Sequence, residues 1–236
     1  MKKLTIRSLA CITFAAFLFS ACSENSSSAE PEDTFDAAVV CPADGLNAYG
    51  EPNRGTFTDA RDGQEYKYVT IGNQVWMAEN LKFDAPYSKC YDRIDCDVFG
   101  RYYSLFVDGE WFGAFDQQLL DTICPAGWHV PSLDEWNELT NRMGGTKKAN
   151  VRLRSSENFG EEYEKGTDDC LFSGLPAGYV MGQQEGLYSA YIFSVYWTST
   201  ASSIYDAYAY YLTSVRINVD QNKTKMSIRC VKNPLY

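Results

Sequence analysis

Apolar and polar positions fall into three regimes along this chain. The first is an apolar run from Leu9 to Phe19. The second, Ser23 to Asp44 (SENSSSAEPEDTFDAAVVCPAD), is dominated by Ser, Glu, Asp and Pro. From Gly55 the texture changes to alternation: GTFTDARDGQEYKYVTIGNQVWMAENLKF interleaves apolar and polar residues and breaks at Asp62-Gly63 and Gly72-Asn73. Such dipeptides favour the positive backbone angles of tight hairpin turns, which predicts two or three short strands. Val69, Ile71, Val75 and Trp76 are their core candidates. FGRYYSLFVDGEWFGAF predicts another strand pair around Asp108-Gly109. Beyond Cys170, LFSGLPAGYV and LYSAYIFSVYWTSTASSIYDAYAYYLTSVRINVD read as successive strands. A turn at Asp220-Gln-Asn222 leads into a last strand, KMSIRCV. No internal repeat is visible.

One helix stands out among the strands. In ICPAGWHVPSLDEWNEL, Ser132 and Glu135 have capping-box spacing: the serine side chain meets the third N–H while the glutamate returns to the serine N–H. Trp136, Leu139, Thr140 and Met143 follow at i, i+3, i+4 and i+7, and Gly144-Gly145 stops the run. The pattern predicts a helix over 133–143, entered through a proline corner with Pro131 packed on Trp136. The class expected is α+β, with short twisted antiparallel strands, one or two helices and disulfides.

The apolar run carries an address. It follows Lys2, Lys3 and Arg7, ends in Phe19-Ser20-Ala21-Cys22, and is too short and wrongly flanked for a membrane span, so it reads as a secretory signal. The cysteine behind Ser-Ala resembles that of a bacterial lipoprotein signal, which implies cleavage before Cys22 and a diacylglycerol on its thiol. Residues 1–21 are then signal, 22–44 a flexible acidic tether that buries little apolar surface, and 45–236 the folded domain. Order is expected to begin near Cys41. Ser23 after the cysteine is similar to outer-membrane sorting. The expected location is a lipid anchor in the outer membrane of the cell envelope, with possible surface exposure.

Charge and cysteine content narrow the partners. The formal net charge is −10, and −13 once Lys2, Lys3 and Arg7 leave with the signal. Bulk attraction to nucleic acid or anionic lipid is thereby excluded, and solubility is the plainest meaning of the acidity. Cys41, Cys90, Cys96, Cys124, Cys170 and Cys230 form an even set in an exported chain, which points to disulfides. No CxxC pair exists, and the single histidine cannot support the usual Cys/His zinc spacings, so no metal or cofactor is expected. Asp59-x-x-Asp62-Gly63 lacks the alternating ligand spacing of a calcium loop and reads as a turn. His129 lacks a nucleophile signature such as GxSxG, so it reads as a packing residue at the corner. Nine aromatic residues lie between Tyr188 and Tyr211. They read either as a sheet core or as a platform for pyranose rings, with tyrosine far outnumbering tryptophan.

The ordered blocks GTFTDARDGQEYKYVTIGNQVWMAENL, CY…C…FGRYYS, ICPAGWHVPSLDEW, FSGLPAGYV, YWTST and SIRCVKN resemble the Fibrobacter succinogenes major paralogous domain family. The likeness runs from about Gly55 to Asn233. Members are secreted proteins or lipoproteins of unknown biochemical role. This chain departs at Leu171-Phe172-Ser173-Gly174, in the cysteines at 41 and 170, and after Tyr103. More distantly, Val130 to Trp136 and Ile228 to Val231 are similar to the C-type-lectin-like fold, in its formylglycine-generating, sulfatase-modifying branch. That likeness implies a C-type-lectin-like architecture and a Cys124–Cys230 bond between the region before a helix and the last strand. Cys90–Cys96 would then close a local loop, and Cys41–Cys170 is what remains. The branch's catalytic cysteine pair has no counterpart here. Glu51-Pro52-Asn53 matches a lectin calcium triplet but lies too early in the domain, and Trp197 lacks the neighbouring carboxylate.

The function these readings favour is non-catalytic binding at the cell surface, with a polysaccharide or other envelope component as ligand and no calcium. An enzyme of the sulfatase-modifying type and a purely structural envelope protein are the alternatives. Trp111, Tyr205 and Tyr208 are the candidate platform, because turns lie beside them. Alternation places Tyr208 and Tyr210 on one strand face and Tyr211 on the other.

Overall fold

A computed structural model describes residues 33–106, 116–181, 186–203, 206–212, 214–220 and 224–235. The chain runs α1 (Ala37–Val40), β1 (Arg54–Thr58), β2 (Glu65–Ile71), β3 (Gln74–Met77), β4 (Ser88–Lys89), α2 (Cys96–Phe99) and β5 (Tyr102–Tyr103). It continues α3 (Gln117–Ile123), β6 (Trp128–His129), α4 (Leu133–Arg142), α5 (Thr146–Leu153), β7 (Tyr179–Met181) and β8 (Gly186–Tyr188). The last elements are β9 (Val195–Ala201), β10 (Asp206–Tyr211), β11 (Ser214–Asp220), β12 (Lys225–Met226) and β13 (Val231–Lys232). The fold is α+β with antiparallel sheets, ordered β1-β2-β3-β13-β6, β11-β10-β9 and β4-β5-β12-β7-β8. No helix among the described residues is long and apolar enough to cross a membrane.

The two predicted turns join β1 to β2 and β2 to β3. Gly63 and Gly72 have positive φ, and Ile71 pairs with Gln74 across Gly72-Asn73. Alternation along β2 then serves two cores. Tyr66 and Tyr68 point into one with Met77, Leu105, Trp197 and Ile228, while Val69 and Ile71 point into another with Trp76, Trp136, Phe172 and Tyr196. A third core gathers Phe99, Tyr102, Ala177 and Val180. β10 divides its residues the same way: Ala207 and Ala209 join the first core, Tyr210 the second. Tyr208 packs beside Tyr210 and Tyr211 on the opposite face, as alternation requires, but both faces meet a core.

The capping box is formed. Ser132 Oγ accepts from the Glu135 N–H at 3.2 Å, and Glu135 Oε2 accepts from the Ser132 N–H at 2.7 Å. Trp136, Leu139, Thr140 and Met143 are all buried, with Met143 as the C-cap. More helix is present than the one or two segments expected. Gly145, read as a stop, is also the N-cap of α5, and Asp116 caps α3 by accepting from the Leu119 N–H.

Three further expectations change. KMSIRCV is not one strand: β12 and β13 belong to different sheets, and the intervening Ile228, Arg229 and Cys230 are buried. The acidic segment is ordered before Cys41. Asp36 caps α1, Phe35, Ala37 and Val40 pack on the second core, the Arg152 guanidinium lies 4.0 Å from the Phe35 ring centroid, and Asp33 pairs with Arg152 and Lys148. A tether ending at residue 44 is therefore too long; residues 33–44 are part of the domain. Asp108-Gly109 and the strand expected after it lie outside the described residues, as does Asn222.

Disulfides Cys41–Cys170, Cys90–Cys96 and Cys124–Cys230 close, the pairs set out from the sequence. Four of the six cysteines sit at 0 to 6 % exposure within the cores, whereas Cys90 is at the surface.

Candidate functional site

The histidine corner joins β6, β13 and the start of α4. β6 pairs with β13, opposing His129 to Val231 and Trp128 to Lys232. His129 Nε2 lies 2.8 Å from Glu135 Oε1, and its Nδ1 lies 2.8 Å from Asn233 Oδ1. Ser132 Oγ donates to Glu135 Oε2, not to the histidine. Both ring nitrogens thus have acceptors within the same fold corner. The cluster ties the start of α4 to the chain's last strand.

This geometry gives a pH dependence. Burial pushes His129 down, but the Glu135 hydrogen bond and charge outweigh it, holding the histidine above its ordinary 6.5. Burial pushes Glu135 up, and its bonds to His129 and Ser132 outweigh that, holding it below 4.5. The histidine's contribution is full below 6.5 and lost as pH rises through its raised folded value. The glutamate's contribution is full above 4.5 and lost as pH falls through its lowered folded value. The melting temperature of the protein should therefore exceed that of His129→Gln most between those two values and converge on it at higher pH. Parallel curves across the range would show that the pair carries no linkage.

The calcium-like motifs are engaged otherwise. Asp59 accepts from the Arg61 backbone and pairs with its guanidinium at 2.6 Å. Glu51 pairs with Lys232 at 2.5 Å, and Asn53 is buried, donating to the Asp44 carbonyl. Among the described residues no group of three or more His, Cys, Asp or Glu could hold a metal ion.

Of the predicted platform, Trp111 and Tyr205 lie outside the described residues. Tyr208 is half-buried against the second core, so it is a packing residue more than an exposed ring. The outward aromatics are elsewhere, on the β7–β8 hairpin. Val180 and Leu187 face the third core, which turns Tyr179, Met181 and Tyr188 to the other side. Tyr179 and Tyr188 are cross-strand partners with ring centroids 5.9 Å apart and planes at 22°. Tyr211 meets Tyr179 edge-on at 6.5 Å, and Phe193 meets Tyr211 at 6.4 Å. Tyr188 is 48 % exposed and Met181 45 %. Burial pushes the Tyr211 hydroxyl up to about 12, so Tyr211 is uncharged at neutral pH.

Two glycines make the row possible. A Cβ on Gly186 would come within 3.0 Å of the Tyr188 ring, so the ring lies across the space that glycine leaves. Gly178, at φ +66, lets the chain approach the Tyr188 carbonyl where a Cβ would sit 2.2 Å away. The following turn is held by Ser189 and Tyr191 at positive φ and by Tyr191 N–H donating to the Pro176 carbonyl. Sequence reasoning counted Tyr188 in the aromatic block but passed over Tyr179. The usable signal was Gly-Tyr-Val-Met, a period-two segment bounded by glycine.

Neither a curated protein nor a solved structure matches the chain. A family model does, over residues 69–232, somewhat inside the span from Gly55 to Asn233 expected from the sequence. The matched region holds the histidine corner, the Leu175-Pro176-Ala177-Gly178 turn, the tyrosine hairpin and the buried Arg229. The chain belongs to the Fibrobacter succinogenes major domain family.

Proposed function

We propose that this protein is a non-catalytic binding domain of C-type-lectin-like architecture, held at the cell envelope by a lipid on Cys22, and that its ligand is a carbohydrate. The observation that carries the ligand is the exposed Tyr188 ring, stacked on a half-buried Tyr179 that packs on the first core behind it. The lectin-like reading is supported by one principal capped helix entered through Val130-Pro131-Ser132, with Cys124 just before it bonded to Cys230 beside the last strand. The enzyme alternative needs a free thiol, and every cysteine among the described residues is disulfide-bonded. The engagement of Asp59 by Arg61 and of Glu51 by Lys232 supports binding without calcium.

The mature protein should be retained on insoluble polysaccharide, with a chelator making no difference. Tyr188→Ala should weaken retention roughly three- to tenfold without changing the melting temperature. No retention on any plant or bacterial polysaccharide would leave the structural envelope role ahead, and loss with the chelator would reinstate a calcium site. The same preparation tests the anchor, since the mass of its amino-terminal peptide shows whether Cys22 is acylated.

A further inference from the structure

A groove of about 490 Å³ opens between the β1–β2 hairpin, α2 and the 171–175 segment, away from the tyrosine row. Its charge is set by strand register. Arg54 opposes Val69, and Lys67 opposes Thr56 two residues along, so both cations project from one face of the hairpin as diagonal neighbours. Arg54 Nη2 donates to the Cys41 carbonyl at 3.0 Å, but Arg54 Nε is buried without a hydrogen-bond partner. The acidic wall residue Glu79 is already engaged: it accepts from the Lys67 N–H at 2.7 Å and pairs with Lys82 at 3.3 Å.

Asp97 and Ser173 also line the groove, and most of the remaining wall is apolar. Val69, Ala78 and Leu175 are buried, while Val98 and Leu171 line the groove at 44 % and 50 % exposure. A lone exposed leucine needs no explanation, but Leu171 is unusual in its backbone. Asp168, Leu171 and Ser173 all have left-handed φ, at +50, +58 and +54. Backbone of this kind persists only where its surroundings enforce it, and it clusters at ligand sites. Here the enforcement is explicit. Cys170 is bonded to Cys41, Asp168 accepts from the Ser173 N–H and hydroxyl, and Arg229 donates to the carbonyls of Phe172 and Ser173. The α2 side is fixed too, because α2 begins at Cys96, bonded to Cys90.

We propose that this groove binds a small amphiphilic carboxylate, with its anionic head on Arg54 and Lys67 and its apolar body between Val98 and Leu171. A single negative charge fits better than a phosphate dianion, since Glu79 and Asp97 also line the groove. The site is independent of the tyrosine row and of the carbohydrate reading.

The test is an amide chemical-shift titration of the mature protein with octanoate, alongside the uncharged octanol. Octanoate should shift Lys67, Val69, Val98 and Leu171, and octanol should bind at least about tenfold more weakly. Arg54→Gln and Lys67→Gln should each weaken octanoate about tenfold. Lys67 is exposed, so its variant keeps the test open if Arg54→Gln, which also loses the Cys41 carbonyl, does not fold. Tyr188→Ala should leave octanoate binding unchanged. No shift in the groove, equal binding of octanol, or unchanged affinity in Lys67→Gln would overturn the proposal.

Discussion

Arg229→Ala is expected to destabilise the fold by on the order of 3–5 kcal/mol, read as a lower urea midpoint at unchanged slope. The Arg229 side chain is fully buried. Its Nε and Nη2 donate to Asn80 Oδ1 at 3.0 and 2.5 Å, Nη2 reaches the Ser173 carbonyl at 3.1 Å, and Nη1 donates to the Phe172 carbonyl. Its guanidinium lies 4.6 Å from the Phe172 ring centroid and 5.3 Å from that of Tyr196. Burial pulls the group's pKa down, opposed by nearby Tyr196 and Asp168, but an arginine stays charged. Truncation would strand three acceptors at once, two of them in buried bonds, each buried one costing about 1–3 kcal/mol when unpaired. Lysine should rescue poorly, because a point-like ammonium cannot reproduce the guanidinium fork. A loss below about 1 kcal/mol would mean water replaces the guanidinium without penalty.

Trp136→Ala is expected to cost about 3–5 kcal/mol, by a different mechanism. Trp136 stacks on Tyr210 at 4.7 Å and 9° and on Tyr196 at 5.1 Å and 22°, with Trp76 tilted against it at 4.7 Å. Its indole N–H is buried without a partner, so removing it orphans no acceptor and the whole cost is packing. Trp136→Phe should therefore recover a large part of the loss by keeping a ring between the two tyrosines. Chemical denaturation of both variants, with disulfides intact, checks this. If phenylalanine were no better than alanine, stacking would not be what holds α4 to β9 and β10.

Features that were legible in the sequence depend on neighbours within a few residues. The Ser132–Glu135 box and the Asp62-Gly63 and Gly72-Asn73 turns are set by side chains and backbone angles at fixed short spacing. α5 was hidden because Gly144-Gly145 can both end one helix and begin the next. The double-sided burial of β10 was hidden because Asp-Ala-Tyr-Ala-Tyr-Tyr alternates small with large, not polar with apolar. Tyr208 was chosen for its nearness to a turn, yet exposure was decided by what packs over each sheet. Tyr179 meets Tyr188 only through hairpin register, and Arg54 and Leu171 come to one groove only through the tertiary fold, so neither spacing could be read from the chain. Arg229 stood in a recognised block, but its role as a buried donor to Asn80 is a contact across 149 residues.

The three disulfides bear on how such a chain could be made. Cysteines delivered amino terminus first into an oxidising compartment arrive in the order 41, 90, 96, 124, 170, 230. Joining each to the next arrival would give 41–90, 96–124 and 170–230, none of which is native. The two long native bonds also interleave, with Cys124 inside the loop closed by Cys41–Cys170 and its partner outside. Oxidation ahead of folding would therefore give wrong pairs, and thiol–disulfide exchange, which takes seconds to hours depending on oxidant and isomerase, would have to rearrange them. The interleaved pairing thus favours folding before oxidation, so that each cysteine meets its native partner in the folded domain.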